Sequence, residues 1–282
     1  MVTSSLKPTF AYVPTEGEIS MDEGLKLCLE LGEEHVSYLV TNTSGTKIMH
    51  FEYYSLPKEE KLERLSMLLK QAPALTHPFE DVILVNNTNR TVLVPEKFHK
   101  DHLNDSLLQM IHGDLAAMAV HKDSVHEWEI NIVHGLEAAL DTLLKERFPQ
   151  ARSVHFATTV LRSAFRNRHW EEKQHVKLFF FSSSFFIMLF HGDRLQIAQH
   201  FQFETTEDII YHVLNVADKF QVDVNSALFE TSGLLDESSP IWYELKRHFL
   251  EISFLSPDVA FDENMEIPSH YFTPFFLIPA CV

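Results

Sequence analysis

Apolar positions along the chain group into short runs separated by turn residues, and the order of those runs occurs twice. In the first half, runs at 25–31, 36–40 and 48–54 are divided by Gly32-Glu33-Glu34 and by Asn42-Thr43-Ser44-Gly45, which predicts three strands in a meander. Leu62, Leu65, Leu68 and Leu69 then recur at helical spacing behind the cap chemistry of Ser55 and Pro57, and Pro73 and Pro78 end the helix. Val82-Ile83-Leu84-Val85 follows as a short unbroken apolar run, the pattern of a strand covered on both faces.

The second half repeats this order with runs at 176–181, 185–190 and 195–203, and Gly192-Asp193 closes its second hairpin as Gly45 closes the first. Thr205 and Thr206 ahead of Glu207 and Asp208 start a helix whose apolar face is Ile209, Ile210, Val213, Ala217 and Phe220. Ala227-Leu228-Phe229 supplies the fourth strand. Phe179, Phe181, Phe186 and Leu189 are expected in the core. Beyond each copy the match continues as a helix and a strand, at 97–111 and 115–120 in one and at 240–250 and 252–255 in the other. Between the copies the pattern predicts a strand at 128–133, a helix carrying Leu136, Leu140, Leu143 and Leu144, a strand at 154–156 and a helix to about Arg168. A domain boundary is expected near 169–174, dividing the chain into 1–170 and 171–282.

The expected fold class is α/β: two lobes of duplicated β-β-β-α-β-α RNase H-like units in the architecture of the actin-like ATPases. With that order of elements, the segment Thr91-Val92-Leu93-Val94-Pro95-Glu96-Lys97-Phe98, the Phe148-Pro149 pair ahead of a strand bearing His155, and the aromatic C-terminal stretch, the chain resembles an uncharacterised bacteroidete family of unknown function. The resemblance runs over nearly the whole chain. It implies a degenerate actin-like ATPase fold and implies no activity, because one fold hosts many functions.

Composition narrows the partners. At 45% hydrophobic and 12% aromatic, with 23 Phe in 282 residues, the chain can build a substantial core. Its formal charge of −17, spread over both halves, argues against nucleic acid and anionic membrane as partners, since both are bound by clustered Lys and Arg. The one basic stretch, with Arg162, Arg166, Arg168 and Lys173, is interrupted by Glu171 and Glu172 and reads as a solvated helix and linker. Two cysteines, Cys28 and Cys281, make no disulfide framework, and Cys28 reads as a small buried hydrophobe. The first 24 residues lack the apolar core of a signal peptide. The uncharged run 178–190 is broken by three serines and is shorter than the roughly 20 residues of a membrane span. A cytoplasmic location is expected.

Candidate chemistry is sparse. An actin-like ATPase holds phosphates at one hairpin turn per lobe, using backbone N–H groups and small hydroxyls, with an acid to direct Mg²⁺ or water. The first turn here offers Glu30 and Gly32, but Glu33 and Glu34 would place negative charge beside the phosphates, and no Lys or Arg lies between Lys26 and Lys47. The second offers Ser182, Ser183 and Ser184 without a glycine or an acid. Gly233 stands where such proteins border the adenosine, and with eight glycines in all there is no Gly-rich phosphate loop. An RNase H-type nuclease would need several carboxylates at neighbouring strand ends; Glu30 could be one, and Asp81 is at the wrong end of its strand. His99, His102 and Asp105, and His121, Asp123 and His126, have metal-like spacing but read as solvated faces. The expectation is a non-enzymatic binding or scaffold protein with no cofactor, partnered by another protein and existing as a monomer or homodimer. A nucleotide-binding switch with atypical phosphate loops and a metal-dependent nuclease are the alternatives.

Overall fold

The first repeat folds as its pattern predicts, in a computed structural model that describes residues 6–12, 24–167, 173–255 and 267–281. A short strand β1 (Phe10–Tyr12) precedes β2 (Leu25–Gly32), β3 (His35–Asn42), β4 (Ile48–Ser55), helix α1 (Lys61–Gln71) and β5 (Asp81–Asn87). β2, β3 and β4 pair antiparallel, and β5 runs parallel to β2 with Leu27 opposite Val82 and Glu30 opposite Val85.

The chain then leaves this sheet. β6 (Thr91–Pro95), α2 (Asn104–His112), β7 (Met118–Val125) and β8 (Ile130–Glu137) follow, and their strands form a separate antiparallel sheet in the order β6-β8-β7. Helix α3 (Ala138–Arg147) and β9 (Arg152–His155) return to the first sheet, whose order is β1-β4-β3-β2-β5-β9, before α4 (Phe156–Arg166).

The second repeat has the same plan. β10 (Gln174–Phe180), β11 (Ser184–His191) and β12 (Arg194–Gln202) pair antiparallel, and α5 (Thr206–Lys219) leads to β13 (Leu228–Gly233), parallel to β10. Helix α6 (Pro240–His248) leads to β14 (Glu251–Phe254), giving the order β12-β11-β10-β13-β14, and two short helices, α7 (Thr273–Phe276) and α8 (Ile278–Cys281), follow. Apart from the added edge strand β1, the two sheets have one strand order.

That order corrects the expected continuation of the first repeat. The counterpart of α6 and β14 is α3 and β9, because β9 pairs parallel with β5 as β14 does with β13. The helix and strand read at 97–111 and 115–120 belong to the inserted sheet, which has no counterpart in the second repeat among the described residues. Leu136 lies in β8 and not in a helix, and Phe156 opens α4 rather than ending a strand. Residues 169–172 of the expected boundary lie outside the described residues.

Burial explains why the strands read as continuous apolar runs. In the first unit Leu27, Leu29 and Leu31 pack on Leu65, Leu68 and Leu69 of α1 and on Leu140 and Leu144 of α3, while Cys28 is fully buried on the other face and burial pushes its thiol pKa up. In the second, Leu178, Phe180, Phe185, Ile187 and Leu189 pack on Ile209, Val213 and Val216 of α5 and on Trp242 and Leu245 of α6. Phe179, Phe186 and Leu189 are buried as expected. Phe181 is only half-buried, because β10 ends at Phe180 and Phe181 begins the turn. The side chain of Thr205 caps α5 in a reciprocal box with Asp208.

Two compact units divide after Phe165, and residues 277–281 fall with the first while 267–276 fall with the second. The C-terminal aromatics are accordingly buried within the chain: Phe272, Phe275 and Phe276 in the second unit and Ile278 in the first. Among the described residues no helix is long and apolar enough to cross a membrane.

Candidate functional site

Period-two alternation puts Leu31 into the helix-covered core and Glu30 on the opposite face of β2. Glu30 is 5% exposed, a costly place for a carboxylate unless its oxygens are satisfied. They are: Asn87 Nδ2 donates to Oε1 at 2.6 Å and Ser37 Oγ to Oε2 at 3.2 Å, and His35 Nε2 lies 3.7 Å from Oε1. The same imidazole explains Gly32. A Cβ there would stand 2.0 Å from His35 Cε1, so the glycine clears room for a ring that closes the turn.

Glu33 is engaged by the chain itself. Its Oε1 accepts from Thr88 Oγ1 at 3.0 Å and from the Asn89 N–H at 3.1 Å. Burial pushes this carboxyl up, but the Asn89 N–H, Lys61, Thr88 and Lys58 together hold it below the ordinary carboxylate range. The two lysines that favour its charged form come from α1 and the turn before it, distant in sequence.

In the second unit Ser182 and Ser183 are exposed, whereas Ser184 is buried at the start of β11. The Ser184 carbonyl accepts from the Phe181 N–H at 2.8 Å and the Ser183 carbonyl from the Phe203 N–H at 3.1 Å, so backbone pairing closes this turn. Gly233, opposite Phe180 in the β10–β13 ladder, has φ of +97°, the region that favours glycine. Its N–H and the Ser232 hydroxyl both donate to the His270 carbonyl, at 2.9 and 2.6 Å. His270 Nε2 in turn bonds the Leu235 carbonyl at 2.8 Å, and its ring stacks 3.7 Å from that of Phe254. Burial lowers the His270 pKa despite that bond. His270 therefore occupies both the Gly233 N–H and the Ser232 hydroxyl at the end of β13.

Neither histidine cluster inferred from spacing assembles as such. His99 bonds Asn104 and His126 pairs with Glu96, while His121 and Asp123 join a different network. Asp123 Oδ2 accepts from the His155 N–H at 2.6 Å and from the Thr158 hydroxyl, and Oδ1 lies 3.6 Å from His134 Nε2. His134 Nδ1 faces Asn86 Nδ2 at 3.0 Å, and His121 pairs with Asp141 at 3.1 Å. The network ties the inserted sheet to β5, β9 and α4. Among the described residues no group of three or more His, Cys, Asp or Glu could hold a metal. The signal for this network was the polar run Asn86-Asn87-Thr88 directly after a fully apolar strand, since buried asparagines in a strand must find partners.

A family model described as "Protein of unknown function (DUF3822)" matches residues 15–252. No curated protein matches the sequence. Among solved structures, a Bacteroides thetaiotaomicron VPI-5482 protein with actin-like ATPase fold and unknown function is similar at a TM-score of 0.81 and 17% identity, over 94% of this chain and 100% of that one. The PilM-PilN type IV pilus biogenesis complex is similar at a TM-score of 0.56 and 12% identity, over 90% of this chain and 96% of that one. The fold is that of the actin-like ATPases.

Proposed function

We propose that this chain, which belongs to the DUF3822 family of proteins of unknown function, is a non-enzymatic binding protein that keeps the actin-like fold without its nucleotide chemistry and engages another protein. The observation that carries this reading is the sealed end of β13. The groups that would border an adenosine there, the Gly233 N–H and the Ser232 hydroxyl, are spent on the His270 carbonyl. Glu30 supports it from the first unit, since Ser37 and Asn87 already engage both of its oxygens and a directing acid needs one free for metal or water. That the fold occurs in a PilM-PilN complex agrees with a protein as partner, as does the charge of −17, which disfavours nucleic acid and anionic lipid. The protein acts as a monomer or homodimer.

Thermal melting with MgATP tests the reading, because a ligand that binds only the folded state raises the melting temperature by mass action. MgATP is expected to raise it no more than an equal concentration of inorganic phosphate. A nucleotide-specific rise that Gly32→Trp abolishes would establish instead the ATP-dependent switch, with Glu30, Gly32, Ser182, Ser183, Ser184 and Gly233 as its contacts.

A further inference from the structure

The first unit contains a small crevice of about 30 Å³ lined by Lys58, Lys61, Arg90, Asn86, Glu33 and Glu137. Leu31 and Leu140 of the helix-covered core form its floor, so it opens on the face of the sheet opposite to Glu30. We propose that this crevice binds a compact oxyanion, a phosphate or carboxylate group. Gly32 also lines it, so the proposal concerns the same turn as the scaffold reading and goes beyond it by assigning a small oxyanion in place of a nucleotide.

Lys61 carries the argument. It is 7% exposed, and among the described residues its ammonium makes no hydrogen bond and no ion pair. The stem is covered, and the unpaired ammonium is not among the fully enclosed polar atoms, so it opens to the crevice, where a ligand can complete it. Burial lowers the Lys61 pKa, with Glu33 and Glu137 attracting it only at longer range. Lys58 and Arg90 likewise have no side-chain partner among the described residues.

The carboxylates nearby do not discharge these cations. Glu33 spends Oε1 on Thr88 and Asn89, and three cations against two carboxylates leave the lining positive in a protein whose net charge is −17. A guanidinium and two ammonium groups facing one opening suit an oxyanion, which Arg can grip with two N–H bonds. Asn86 Oδ1 is a buried acceptor with no partner on the same lining. It suits a ligand that also brings a hydroxyl, as hydrogen phosphate does.

The test compares melting of the full chain in sodium phosphate, sodium acetate and sodium chloride at matched ionic strength. Phosphate is expected to raise the melting temperature saturably by a few degrees over chloride, and Lys61→Met to abolish the rise. The methionine keeps the apolar stem while removing the unpaired charge, so it preserves packing. Should that variant not fold, Arg90→Gln at the half-exposed side is expected to weaken the phosphate dependence about tenfold, the loss of one charge-assisted contact. A rise with phosphate alone identifies a phosphoryl ligand, and a rise with acetate as well identifies a carboxylate-tolerant site. No saturable rise over chloride with either anion, or an undiminished rise in both variants, overturns the proposal. Because phosphate and nucleotide-specific stabilisation are separate readouts, either inference can fail without the other.

Discussion

Gly233 lies so close to the backbone of Phe180 that a Cβ on it would stand 2.0 Å from the Phe180 carbonyl oxygen. With φ at +97° as well, substitution demands both backbone strain and a shift of one strand against the other. Gly233→Ala is expected to cost about 3 kcal/mol or more in urea denaturation. Gly192→Ala is the control: φ is +55° but nothing lies within 4 Å, so only about 1 to 2 kcal/mol is expected. Equal losses in the two variants would show that the close approach to Phe180 does not exist.

The serine turn sets apart neighbouring phenylalanines. Phe180 is 1% exposed and packs among Phe185, Leu178 and Phe229, whereas Phe181 is half-buried in the turn. Phe180→Ala should cost about 3 to 5 kcal/mol, and Phe181→Ala less than half of that. Calorimetric melting of both variants checks the register, and a Phe181→Ala as damaging as Phe180→Ala would place the strand end one residue too early.

What could be read from the sequence follows from how far each interaction reaches. Strands buried on both faces announce themselves as runs such as 185–190, and hairpins announce themselves by Gly45 and Gly192, so strand order within each repeat was legible. Sheet membership was not. Local periodicity makes 115–120 look like a partner for β5, but it cannot tell that β7 pairs with β8 while β9 takes the place beside β5. The candidate site divides in the same way. Glu30, Gly32 and Gly233 stand at strand ends visible by eye, yet the groups that occupy them, Asn87, His35 and His270, come partly from 37 to 57 residues away. Glu33 looked isolated in sequence because Lys58, Lys61 and Arg90 arrive from other elements.

Asp123 should dominate the acid side of stability. Burial pushes its carboxyl up, but His134, the His155 N–H and Thr158 outweigh that and hold it below the ordinary value. A depressed folded pKa means that the contribution is complete above the unfolded value of about 3.9 and is lost as pH falls through the folded one. Asp123→Asn is expected to lose about 2 to 3 kcal/mol near neutrality, with the gap to the wild type closing as pH falls below about 3.9. Urea denaturation at a series of pH values measures it. A gap that stays constant down to acid would mean that Asp123 is not held ionised by these partners.

The tail sets an order of events during synthesis. Pro279 belongs to the first unit, where its Cβ stands 2.8 Å from the place a Cβ on Gly45 would take and its carbonyl accepts from Lys26 Nζ at 3.3 Å. Residues 277–281 are translated only after every residue of the second unit. N-terminal units generally fold first as a chain emerges from the ribosome, but here the earlier unit lacks its last pieces until the later one has been made. Nascent chains halted before Leu277 would hold a first unit with an unfilled seat at the Gly45 turn, so the vulnerable interval in this protein's biogenesis belongs to the half that is made first.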